Sequence, residues 1–206
     1  NGARGLPSWT VSWSALTEAP FYIQQNYSGL LLTEILYHSP DFAGLDGDQF
    51  EFLELKNASA SQLDLSGVNF TRGVRFTFPV GIKLAPGGFA VLASDPAAFA
   101  QKYTNVPVAG VFTGHLSNGG ETLELASPDG SNLVTIAYGD NDPWPQVADG
   151  LGFSLVPVNP NLNPAPENAA NWRASSAVGG SPGADDPPSS QPRVLITEVL
   201  THTDPP

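Results

Sequence analysis

Carboxylates gather twice along this sequence, at Asp41, Asp46, Asp48 and Glu51 and again at Asp140-Asn141-Asp142. A flexible loop of carboxylate and carbonyl oxygens suits a hard cation, so Asp46, Asp48, Asp140 and Asp142 are the candidate calcium ligands. The spacing does not complete an EF-hand loop, and a solvated acidic loop is the competing reading. Glu34 and Glu54 lie inside apolar, strand-like runs. Paired carboxylates do acid–base work when one is desolvated in a cleft, but the sequence shows no cleft. Hydrogen bonding to nearby backbone N–H groups, or plain exposure on a sheet face, is therefore the favoured reading for both. His38, His115 and His202 are far apart, and neither a Ser-His-Asp nor an HExxH arrangement occurs. Trp144, in DPWPQ, and Trp172, in NWRAS, offer flat amphipathic faces of the kind that stack on sugars, with packing as the alternative. Sequons at Asn26, Asn57 and Asn69 are no more than this Asn-, Ser- and Thr-rich composition yields by chance.

The elements that must carry these groups are strands. Leu30 to Tyr37 (LLLTEILY) is an apolar run rich in branched residues, closed by His38-Ser39-Pro40. Gln49 to Asn57 alternates, although neither face is purely apolar. Further strand-length runs fall at 62–65, 68–71, 74–78, 82–84, 89–93, 122–126, 133–138 and 153–156. The APGG of 85–88 and the SPDG of 127–130 join neighbouring runs as hairpin turns, because Pro presets φ and Gly accepts positive φ. One short connector helix is predicted over Pro96 to Tyr103, with Asp95 as its cap and Pro96 at its first position.

Composition narrows the class. The chain of 206 residues has 21 Gly and 20 Pro and only 14% charged residues, the balance of an all-β protein. Eight basic against 20 acidic residues give a net charge of −12, which opposes binding to nucleic acid. Without cysteine there is no disulfide, thiolate nucleophile or cysteine zinc site. No apolar run reaches the ~18 residues of a membrane span. Few lysines and abundant Gly, Pro, Ser and Asn suggest an extracellular or cell-surface location.

In order along the chain, the segments LLLTEILYHSP, EFLELKN with LDLSGVNFT, FTFPVGIKLAPGGFAVLASDPAAFAQKY, GVFTGHLSNGGETLELASPDG, WPQVADGLGFSLVPVNP and NWRASSAVGGSPGA resemble the lamin tail domain family in its bacterial extracellular form. The resemblance spans residues 30–184 and implies an immunoglobulin-like β-sandwich used for binding and anchoring, often as one module among several. It carries over no catalytic signature. The acidic balance argues against borrowing DNA binding from nuclear relatives.

The expected organisation is a leader or the end of a preceding module at 1–28, a sandwich at 29–178, a Gly/Pro/Ser linker at 179–192 and a further strand at 193–206. The linker reading rests on GGSPGADDPPSSQP, which has no large apolar residue with which to offset its ordering entropy. Beyond it, Leu31, Thr33, Glu34, Leu36 and His38 recur as Leu195, Thr197, Glu198, Leu200 and His202, an offset of 164 residues. The run Val194, Leu195, Ile196, Thr197, Glu198, Val199, Leu200 is thus either the first strand of a second copy or a strand that pairs with another chain. The leading expectation is a non-catalytic structural or adhesive module of a secreted or surface repeat protein, with other copies or tandem modules as partners. The alternative is an accessory domain of a larger secreted enzyme that binds glycan or calcium; beyond calcium no cofactor is implied.

Overall fold

The computed structural model describes residues 25–188. Two antiparallel-rich sheets pack face to face as an immunoglobulin-like sandwich. The larger holds six strands in the order β12-β11-β1-β2-β7-β8. These are β1 (Leu30–Leu36), β2 (Phe52–Asn57), β7 (Phe89–Ala93), β8 (Val108–Val111), β11 (Leu155–Pro157) and β12 (Trp172–Ala174). The smaller runs β10-β9-β4-β5, from β4 (Asn69–Arg72), β5 (Phe76–Thr77), β9 (Glu121–Ala126) and β10 (Asn132–Tyr138). A two-stranded ribbon, β3 (Leu63–Asp64) with β6 (Lys83–Leu84), completes the set. The connector helix is present as α1 (Pro96–Lys102), and Asp95 accepts from the backbone N–H groups of Ala97 and Ala98 as its cap.

Strands β1 and β2 are buried along their whole length, so both of their faces are covered. Leu30, Leu32, Leu53, Leu55 and Leu92 line the core between the sheets with Phe70, Leu123 and Ile136 from the facing sheet. On strict alternation Glu34 would join Leu30 and Leu32 in that core. A bulge between Leu32 and Glu34 prevents this, because the extra residue reverses the phase. Ile35 and Tyr37 then face the core, while Leu36 turns to a second, outer cluster with Phe52, Val91, Ala93 and Phe99. Helix α1 lies over that outer face, with Phe52 edge-on to both Phe99 and Tyr103 at 5.7 Å.

Several features depart from the sequence expectation. The APGG of 85–88 is no hairpin turn, because it carries the chain from β6 in the ribbon to β7 in the larger sheet. Gly47–Phe50 forms a 3₁₀ turn, so β2 starts at Phe52 rather than Gln49. Strand β8 lies parallel to β7 across the α1 crossover, and its VAGV sequence shows no alternation to reveal it. Residues 179–188 do not form a solvated linker: their backbone and acidic side chains are bound to the outer face of the larger sheet.

Candidate functional site

Glu34 and Glu54 are direct cross-strand neighbours on that outer face, and each is 1% exposed. Two carboxyl groups buried side by side are costly unless hydrogen-bonded. The partners come from the tail and from nearby strands. Glu34 Oε1 accepts from Ser154 Oγ at 2.5 Å and from the Ser181 amide at 3.0 Å. Glu54 Oε1 accepts from Thr33 Oγ1 at 2.7 Å, and its Oε2 accepts from the Gly183 amide at 2.6 Å. Burial pushes Glu34 up to about 8, and neighbouring Glu54 and Asp186 add to the effect while the Ser154 and Ser181 bonds oppose it. Burial likewise pushes Glu54 up to about 7, against the pull of the Gly183 and Thr33 bonds.

Two ion pairs flank the carboxyl pair. Lys56, whose side chain is 4% exposed, donates to Asp185 at 2.5 Å and to Asn161 at 2.7 Å. Arg173 on β12 donates from Nη1 to Asp186 at 2.6 Å and from Nη2 to the carbonyl of Pro187 at 3.2 Å. At the start of the tail the Tyr103 hydroxyl donates to the Gly179 carbonyl at 2.7 Å. The tail is therefore a clasp, fastened by α1 at one end, by two buried carboxyls in the middle and by Arg173 at the other. The space left beside the carboxyls is about 10 Å³, room for one water-sized sphere and for no organic substrate.

Of the two readings of Glu34 and Glu54, hydrogen bonding to backbone N–H groups agrees with this geometry, and exposure on a sheet face does not, because both side chains are buried. Sequence reasoning missed Lys56, Arg173, Asp185 and Asp186. A lysine within the buried run FLELKN was the available signal, since a buried ammonium requires an anionic partner.

Asp46 caps the 3₁₀ turn by accepting from the Asp48 amide, and Asp140 accepts from the side chain of its neighbour Asn141. Among the described residues the one set of three potential ligand side chains is Asp48 with Glu51 and His115; Asp46, Asp140 and Asp142 belong to none. Trp144 is half-buried against the main core, its ring 6.4 Å from that of Trp172. Asn57 is buried, and its amide donates to the carbonyls of Ser61 and Leu84, so this sequon offers no attachment point in the folded domain. The run Val194 to Leu200, expected to form a strand, and His202 lie outside the described residues.

The family model described as Lamin Tail Domain matches residues 23–140. The chain belongs to the lamin tail domain family. Lamin tail domains are immunoglobulin-like and typically non-catalytic, in keeping with a carboxyl pair used for hydrogen bonds within the chain. The family match ends before β11 and β12, the strands that fill out one side of the larger sheet and carry Arg173. Among solved structures, a DUF4876 family protein from Bacteroides thetaiotaomicron is similar at 13% identity and a TM-score of 0.48, over 82% of this chain and 75% of that one. No curated protein matches the chain. No helix among the described residues is long and apolar enough to cross a membrane.

Proposed function

We propose that this lamin tail domain is a non-catalytic structural module of an extracellular or cell-surface repeat protein, joined to other modules by the strand Val194–Leu200. The observation that carries the reading is the clasp. The buried carboxyls that would serve catalysis are hydrogen-bonded to the domain's own tail and leave no room for a substrate. They fix instead the direction in which the chain leaves the domain, as a module in an array requires. The repeat adds support, because Glu198 stands where Glu34 stands in the first copy. An acceptor edge is also present: β10 is seven residues long and is paired in its sheet with β9 alone. Val194–Leu200 has the same length, and an open edge of that kind accepts an added strand.

Static light scattering on the full chain and on a variant lacking residues 191–206 tests the strand. Oligomers that disappear on deletion support pairing between chains. A full chain that stays monomeric at high micromolar concentration refutes it, and leaves 193–206 as the opening of a following tandem copy. Half-buried Trp144, packed beside Trp172, gives the accessory glycan-binding alternative no particular support.

A further inference from the structure

Away from the clasp, one carboxyl group is buried beside two exposed ligand-type side chains. Asp48 sits in the 3₁₀ turn Gly47–Phe50, where Asp46 caps its amide and Ser94 Oγ donates to its carbonyl at 2.8 Å. Glu51 ends the same turn and is 0% exposed. His115 arrives from the loop between β8 and β9, which bends at Gly114 with φ 96°. Its Nδ1 stands 4.0 Å from Asp48 Oδ2 and 4.0 Å from Glu51 Oε2, and one ligand atom from each of the three side chains lies within 4.8 Å of the others.

Glu51 supplies the independent indication. Its Oε2 accepts from the Leu116 amide at 3.0 Å, but its Oε1 is buried without a hydrogen-bond partner. A buried carboxyl oxygen left in that condition is destabilising, and a cation held by both oxygens of Glu51, beside the Oε2 that stands 4.0 Å from His115, would satisfy it. The donor chemistry selects the cation. Calcium prefers six to eight oxygens, whereas one imidazole with two carboxylates suits zinc and its first-row neighbours. Ligand distances of about 2.0–2.2 Å in a tetrahedral site require the donors to close up by roughly half an ångström to one and a half ångströms. The side chains of His115 and Asp48 are 71% and 44% exposed and have room to rotate, while Glu51 provides a fixed point.

We propose that Asp48, Glu51 and His115 bind a divalent transition-metal ion, zinc foremost, which fastens the loop between β8 and β9 to the turn that precedes β2. Three protein ligands leave a further position for water or for a ligand from a neighbouring molecule.

Calorimetric titration of the full chain with zinc chloride, paired with thermal unfolding, tests the site. The expected result is one equivalent bound, with Tm raised by about 5–10 °C at a hundredfold excess over Kd. Calcium chloride should bind at least tenfold more weakly. His115→Ala should weaken zinc at least tenfold, Glu51→Gln should do the same, and His38→Ala should bind as the unaltered chain does. Cobalt(II) bound to the unaltered chain should give a visible absorption band that His115→Ala removes. Absence of zinc binding, binding undiminished in His115→Ala, or calcium bound as tightly as zinc would each overturn the proposal. Should Glu51→Gln fail to fold, the exposed His115 substitution decides alone.

Discussion

Replacing Gly180 by alanine tests whether the tail is fastened by the buried carboxyls. Gly180 has φ 73°, in the left-handed region, where an L-residue costs about 1–2 kcal/mol. A Cβ at that position would run into Glu34 Oε1 and would lie 2.6 Å from Ser154 Oγ. The carboxyl must then move, and its bonds from Ser154 and Ser181 are lost at about 1 kcal/mol each. The total is roughly 3–4 kcal/mol. Gly87→Ala is the matched control, because Gly87 has a similar φ of 70° with nothing within 4 Å of an added Cβ, so it should cost only the backbone penalty. Urea unfolding measures both variants, and hydrogen exchange at the Ser181 and Gly183 amides reports the clasp directly. Gly180→Ala costing no more than Gly87→Ala, with Ser181 protection intact, would refute the role given to Glu34.

The same carboxyls set a pH dependence. Glu34 and Glu54 titrate at about 8 and about 7 in the folded domain against 4.5 for an ordinary glutamate, so between those limits the folded state binds more protons than the unfolded. Their contribution to stability is full below about pH 4.5 and is lost as pH rises through about 7 to 8; Glu34→Gln and Glu54→Gln should each flatten this slope in urea titrations. Lys56→Met should leave global stability within about 1 kcal/mol, since an apolar side chain of similar volume avoids burying an ammonium, yet should speed exchange at Gly183 by releasing Asp185. Asp95→Ala removes both capping bonds of α1 and should cost about 1 kcal/mol in thermal unfolding.

The sandwich was legible because its signals are local. Turn residues, alternation and the Asp95-Pro96 start of α1 act within a few positions, and the motifs that resemble the lamin tail family run through the same strands. The clasp was not legible for the opposite reason. Residues 179–188 have no apolar side chain large enough to dock them, and what holds them comes from Glu34 and Glu54, 147 and 129 positions away in the chain. Neither was the bulge at Thr33 readable, although it alone sends Glu34 outward. Without it the acidic side chain would point at Leu53 and Leu55 instead of at the tail. Glu51, His115 and Asp48 likewise come together through the 3₁₀ turn and a loop, where no periodicity marks which side chains will meet.

The course of the tail has a mechanical consequence. A pull on the chain beyond residue 188 reaches the Arg173 pair and the Gly183 and Ser181 bonds one after another, before it loads any strand ladder. Bonds met in sequence open like a zip rather than shearing together, so the ten residues 179–188 would pay out roughly 30 Å of chain at low force while both sheets stay intact. A string of such domains would lengthen under tension and recoil when released, with each clasp as a reversible extensible link.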